Sequence, residues 1–301
     1  MFLCLSFCPV SCYNAINKLV RFSMIYLFLA ILSSVGVSVV MRLSTKKAAG
    51  SLTMLSANYL MCLLIAALFT GFDRLFPTSP NLPDTLWMGC VNGVLYLSSF
   101  VLYQHSVKRN GMVLSSTFMK LGLLVPIVIS VFLFFELPTL LQVAGFVIAL
   151  SGIVLMQIGG KDPGGQFSAG LLLLLVLGGG ANAMSEIYEA VGDPALNSQF
   201  LLYTFLSAFV FCCALTALKK ERPNRHSIFY GLLIGIPNYF SARFLLLSLQ
   251  HVPAMIAHPT YSAVSVGIVA VLGVCLFRER LAKRQWLAMG IILISLIFLN
   301  I

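Results

Sequence analysis

Ten apolar runs of roughly 20 residues each, the length a membrane-crossing helix needs, constrain this 301-residue chain more than any other feature. Bounded by charges, proline or glycine, they fall at 24–42, 50–71, 85–107, 111–134 and 139–159, then at 168–189, 196–218, 228–249, 253–277 and 284–301. A helix of about 20 residues rises about 30 Å, the thickness of a bilayer's hydrocarbon core. Runs of this length can cross it only as helices, which satisfy every backbone N–H and C=O within the segment. The expected fold is an all-α polytopic membrane protein with ten transmembrane helices. A soluble fold fails on composition: the chain is 59% hydrophobic and 9% charged, against roughly 25% charged residues in soluble domains. Too few polar groups exist to cover a water-facing surface.

Residues 1–23 stand apart as an N-terminal extension whose basic residues, Lys18 and Arg21, follow its short apolar stretch instead of preceding it. That order is the reverse of a secretory signal. Met24 opens the first full run, so translation from Met24 is one expectation; the other is a short interfacial helix with Cys4, Cys8 and Cys12 on one face. The eight cysteines form no CxxC pair and lie mostly inside apolar runs. They read as small hydrophobes, with no metal and no cofactor expected.

Five runs followed by five suggest an internal repeat. Setting 85–158 against 228–301 without gaps gives 14 identities in 74 positions, among them Tyr96/Tyr239, Ser98/Ser241, Thr117/Thr260, Glu136/Glu279 and Gln142/Gln285. The polar matches carry the signal, because leucine meeting leucine is cheap in membrane spans. An odd number of helices repeated once re-enters the bilayer in the opposite sense, so the halves 24–160 and 161–301 are expected to be inverted five-helix repeats, the plan of secondary transporters.

The net charge of +10 resolves into topology. Fourteen Lys and Arg fall in the odd-to-even loops and three (Lys18, Arg21 and Arg74) on the other side. By the positive-inside rule the crowded side is cytoplasmic, both chain ends lie outside, and no nucleic-acid partner is needed to explain the basic balance.

Two basic residues remain within the runs, Lys120 near the middle of the fourth and Arg243 nearer the end of the eighth. A lysine at the bilayer centre costs at least roughly 2.5–3.5 kcal/mol, so it faces a cavity, pairs with a carboxylate or loses its proton. It reads either as an anchor for an anionic substrate group or as half of an ion pair locking two helices; Arg243 can also snorkel. Polar residues recur at helical spacing: Asn92, Tyr96, Ser99 and Tyr103 in the third run; Ser116, Thr117 and Lys120 in the fourth. Asn182, Ser185, Glu186 and Glu189 do so in the sixth, and His258, Tyr261, Ser262 and Ser265 in the ninth. Such stripes line a polar cavity or form interhelical hydrogen-bond seams. On the cavity reading Glu186 is the counter-ion of Lys120, and the candidate substrate-binding residues are Lys120, Asn92, Tyr96, Ser116, Thr117, Asn182, Glu186, Tyr239, Arg243, His258 and Tyr261. Gly178-Gly179-Gly180-Ala181, Pro126, Pro237 and Pro259 mark sites of close packing or local bending. HExxH, GxSxG and GxxxxGK[ST] motifs are all absent from the sequence, which argues against an enzyme and against ATP-driven transport.

Two stretches carry a family resemblance. Residues 111–158, from GMVLSSTFMKLG to GIVLMQI, and 251–299, from HVPAMIAHPTYS to ISLIFL, resemble the end of an EamA domain of the drug/metabolite transporter superfamily. In each an apolar helix closes on a glutamate, Glu136 or Glu279, followed by Gln142 or Gln285 and a glycine-containing last helix with Gly145 and Gly152 or Gly290. The family usually has glycine before that glutamate, where this chain has Phe135 and Arg278, and the upstream helix proline is present only as Pro126. The resemblance covers about residues 24–301 and implies an integral, multi-pass cell-membrane carrier with a central cavity, commonly an exporter of amino acids, other metabolites or drugs. The expected partners are a small-molecule solute, the lipid bilayer and, unless passage is facilitated, a coupling proton or ion; no oligomeric state is specified. Members are commonly drawn with both ends cytoplasmic, whereas the loop charges here place them outside. Flipping of a lipid-linked headgroup is the alternative within the same fold, and a non-transporting membrane sensor or assembly subunit the alternative outside it.

Overall fold

The computed structural model describes residues 10–45, 51–122, 124–125, 128–129, 139–157, 169–249, 254–279 and 281–298. Besides the helical residues 124–125 and 128–129, the α-helices among them are α1 (Val10–Ser44), α2 (Ser51–Thr70), α3 (Leu82–Asn110), α4 (Met112–Leu121), α5 (Leu140–Gln157), α6 (Ala169–Val191), α7 (Asn197–Leu218), α8 (Arg225–Leu249), α9 (Ala254–Cys275) and α10 (Lys283–Phe298). Six segments have the length and hydropathy of a membrane crossing: Met24–Ser44, Ser51–Thr70, Leu82–Asn110, Ala169–Val191, Pro194–Leu218 and Arg225–Leu249. Met112–Leu121, Val143–Gly152 and Thr260–Cys275 are shorter apolar helices. The chain is thus a polytopic membrane protein, all-helical among the described residues, of which six crossings stand on length and composition. α1 runs unbroken through Met24 back to Val10. Expectations resting on Pro126, Phe135 and Glu136 lie outside the described residues.

The helices pack across the two halves of the chain more than within them. α8 lies against α1 and α2, and α3 against α6 and α7; α2 pairs with α7, α4 with α9 and α5 with α10; α1 also meets α9, and α6 meets α4. Exchanging each of the first five helices for the one five places later maps these pairs onto themselves. Helices α1, α3, α4, α6, α8 and α9 form the centre, with the α2–α7 and α5–α10 pairs outside them. Lipid-facing residues such as Phe28, Leu68, Val147, Val176 and Val271 remain exposed, as a bilayer solvent permits. Small residues let backbones meet. In α6, Gly179 lies against the backbone of Gly122, where a Cβ on Gly122 would come 2.6 Å from the Gly179 nitrogen.

Side-chain contacts fix which loops share an end. The Arg42 guanidinium at the end of α1 lies 3.0 Å from Glu279, beyond α9, and donates to the Val107 carbonyl of α3 at 3.3 Å. Glu279 in turn accepts the Met112 and Val113 backbone N–H groups at 2.7 and 3.1 Å, closing the open N-terminus of α4. Glu221, beyond α7, does the same for α2 through Leu52 and Thr53, at 3.2 and 2.9 Å. Carboxylates are favoured there because the first N–H groups of a helix lack intrahelical partners and carry its positive dipole end. At the opposite end Asn81 donates to Asp193 at 3.2 Å, and Tyr203 donates to the Leu75 carbonyl at 2.6 Å.

Each capping glutamate follows a residue in the left-handed region, Lys220 at φ 48° and Arg278 at φ 51°. Glycine is the usual residue there because it carries no Cβ penalty. Arg278 is exposed, so Arg278→Gly is expected to raise stability by about 1 kcal/mol, read as a higher midpoint in thermal unfolding of the detergent-solubilised protein; a lowered midpoint contradicts the strain argument. Gly111, at φ 88°, is needed twice: a Cβ there would also lie 3.0 Å from both Glu279 carboxylate oxygens.

Candidate functional site

Each of the six central helices turns one short stripe inward, and together the stripes line a cavity that is partly open to the outside. α1 contributes Ser34, Val37 and Ser38; α3 contributes Tyr96, Ser99, Phe100 and Tyr103; α4 contributes Ser116, Met119 and Lys120. From the second half come Gly178, Ala181 and Asn182 of α6, Asn238, Ser241, Ala242 and Leu245 of α8, and His258, Tyr261 and Ser262 of α9. Every stripe has the i, i+3, i+4 spacing that places side chains on one helix face. One constant shift in residue number carries Tyr96, Ser99 and Tyr103 of α3 onto Asn238, Ser241 and Leu245 of α8, and the same shift carries Ser116, Met119 and Lys120 of α4 onto His258, Tyr261 and Ser262 of α9.

Lys120 lies in the last turn of α4 with its Nζ 3.7 Å from the centroid of the Tyr261 ring. A cation over an aromatic face gains roughly 0.5–2 kcal/mol, more when water is excluded. The Tyr261 hydroxyl is fixed by Ser241 at 2.7 Å. Beside it the hydroxyls of Ser38, Tyr103 and Ser116 cluster at 2.8 to 3.2 Å, joining α1, α3 and α4. Tyr96 stacks on Phe100, centroids 5.8 Å apart, and supplies an aromatic wall. His258 Nε2 lies 3.4 Å from Glu186 Oε1, a contact without hydrogen-bond geometry that is an ion pair only when the imidazole is protonated. Glu186 thus faces His258 and not Lys120, the partner expected for it. Glu189, one turn further along α6, keeps one buried carboxylate oxygen without a hydrogen-bond partner.

Of the eleven candidate residues, Lys120, Tyr96, Ser116, Asn182, His258 and Tyr261 line the cavity. Glu186 reaches it only through His258. The other four lie elsewhere. Asn92 is buried against α7 and donates to Thr204 at 3.4 Å, and the Thr117 hydroxyl returns to the Val113 carbonyl of its own helix at 2.8 Å. Tyr239 packs among Phe69, Phe205 and Phe240. Arg243 lies two residues past Ser241, about 200° around the helix, and donates to Ser198 at 2.6 Å in a separate small cleft. The whole α1 stripe, Ser34 to Ser38, and Asn238 of α8 escaped the sequence reading, and Ser241 entered it only as a repeat match to Ser98. Their signal was present: each recurs at i, i+3 or i+4 within an otherwise apolar helix. No group of three metal-binding side chains occurs among the described residues.

Comparison with known proteins agrees with this architecture. An uncharacterized protein of Haemophilus influenzae is 26% identical over 279 residues, covering 87% of this chain and 92% of that protein. A solved crystal structure superposes with a TM-score of 0.61 over 92% of this chain and 96% of its own, at 14% identity, a likeness of fold. The EamA-like transporter family matches residues 21–158 and again residues 168–301. With nearly all of the chain covered in two successive matches, this protein is a member of the EamA-like transporter family, within the drug/metabolite transporter superfamily.

Proposed function

We propose that this chain is a secondary transporter of ten spanning helices, built as two inverted five-helix halves, 24–160 and 161–301, that exports a small polar or amphipathic metabolite by alternating access. The supporting observation is the cavity itself: a polar, partly ionisable lining enclosed by three helices from each half. Binding sites at the interface of inverted repeats let one half rock against the other and expose the site to each side in turn. The basic loops face the cytoplasm on this reading, on the strength of the loop charges. Energy comes from a proton or ion gradient, or the passage is facilitated, since the sequence has no nucleotide-binding loop.

Alternating access requires α4 and α9 to separate at the end where Glu279 caps α4. There Gly273 of α9 faces Val113 of α4, close enough that a Cβ on Gly273 would overlap the valine side chain. A Val113→Cys/Gly273→Cys pair, in a background freed of native cysteines, is expected to release metabolites when reduced and to stop when oxidised to a disulfide. Release is read by comparing the medium of cells with and without the protein. Undiminished release by the fully cross-linked protein overturns the mechanism.

A further inference from the structure

We propose that the solute is a small organic anion, a monocarboxylate with an apolar or aromatic body, seated on the Lys120 ammonium; this rests on the transport reading above and names its substrate class. The charge of the cavity carries the inference. Among the described residues its lining contains one lysine, one histidine and no acidic residue. Among the described residues the carboxylates within 4.0 Å of a basic side chain are Glu279, beside Arg42, and Glu186, beside His258, so Lys120 has no carboxylate within 4.0 Å there. Its close neighbour is the face of Tyr261, which weakly offsets a full charge placed in a low-dielectric interior. An intramembrane cation left in this state is completed by an anion that arrives with the solute.

The same geometry narrows the class further. A zwitterion or an organic cation needs an acceptor for its ammonium. Glu186 lies outside the lining with its carboxylate turned to His258 Nε2, so an ammonium in the cavity meets lysine and imidazole instead. A dianion such as a phosphate ester calls for a second fixed cation, and Arg243 is committed to Ser198 in a different cleft. One positive charge matches one carboxylate; the Ser38, Tyr103 and Ser116 hydroxyls already donate to the Ser34 carbonyl and to one another, so the attraction comes from Lys120. Phe100, Met119 and Leu245 give the rest of the molecule an apolar surface.

Four probes of one shape separate the classes: 3-phenylpropionate (anion), 3-phenylpropionamide (neutral), phenylalanine (zwitterion) and 3-phenylpropylamine (cation), each titrated against the purified full-length protein in detergent and read by thermal shift and calorimetry. The carboxylate is expected to bind at least tenfold more tightly than the other three, since a hydrogen bond to a charged partner is typically worth roughly a tenfold to hundredfold change in affinity. Lys120→Gln is expected to abolish that preference and Lys120→Arg to keep part of it, with gel filtration confirming that both variants are folded. Absence of charge discrimination in the wild type, whether all four probes bind or none does, overturns the proposal, as does a preference that survives in Lys120→Gln. Phenylalanine binding as well as 3-phenylpropionate overturns it in favour of a zwitterion. These are equilibrium measurements, so they fail independently of the cross-linking experiment: an exporter of zwitterions passes that test and fails this one.

Discussion

Glu279→Ala is expected to lower the unfolding free energy by about 2–4 kcal/mol, the range for removing a carboxylate that caps a helix and also compensates a partly buried charge. Glu279 holds three elements at once: it accepts two backbone N–H groups of α4 and lies 3.0 Å from Arg42 of α1, while its own backbone N–H donates to Gly273 of α9 at 2.9 Å. Its side chain is only 9% exposed, so water cannot fully replace the lost acceptor. Glu279→Gln retains one acceptor oxygen for α4 and no charge for Arg42, so its loss should be smaller than that of the alanine variant. Much of the penalty comes from stranding the guanidinium. Arg42→Ala/Glu279→Ala should therefore be less destabilised than the sum of its single substitutions, and strict additivity would place the whole effect in the α4 cap. Midpoints of thermal unfolding in detergent for the wild type and the four variants give the comparison.

The apolar runs made the membrane-helical class legible because a run of about 20 residues has one structural solution in lipid. The glutamate marking the end of the ninth helix was legible as a position but not as a capping group, since its partners, Met112 and Val113, lie 167 and 166 residues away. The site was half legible, for a specific reason. Matching identical residues without gaps sets Tyr96 beside Tyr239, whereas cavity position sets Tyr96 beside Asn238, the residue before it. A one-residue error turns a helix by about 100°, which carries Tyr239 from the cavity into the Phe69 and Phe205 cluster. Identity between repeats records shared ancestry and packing, whereas the lining is set by the face each helix presents. The serines of α1 were passed over because hydroxyls in an apolar helix also bond back to their own backbone, as Ser38 does to the Ser34 carbonyl at 3.3 Å.

The register that sets Tyr96 beside Asn238 also identifies where the fold is least tolerant. In α3 Gly89 and Gly93 face α7, and in α8 Gly231 and Gly235 face α2; both are GxxxG pairs, and the same register sets Gly89 beside Gly231 and Gly93 beside Gly235. A Cβ on Gly93 would come 2.7 Å from the Ser207 Cβ, and one on Gly235 would come 2.6 Å from the Asn58 carbonyl oxygen. Real side chains do not approach so closely, so any substituent there drives the backbones apart along two of the main contacts between the halves. In lipid no hydrophobic gain compensates, because tails solvate the separated faces as well as the partner helix does. Gly93→Leu and Gly235→Leu are therefore expected to leave no monodisperse folded protein after detergent extraction, and Gly93→Ala and Gly235→Ala to lose about 1–3 kcal/mol. Gly267 and Gly290 have nothing within 4 Å of an added Cβ, so alanine at either should be neutral or slightly stabilising, in keeping with the helix preference for alanine over glycine. If Gly93→Leu instead extracts and elutes as the wild type does, the α3–α7 contact does not hold the halves together, and the shared register of the two glycine pairs has no structural meaning.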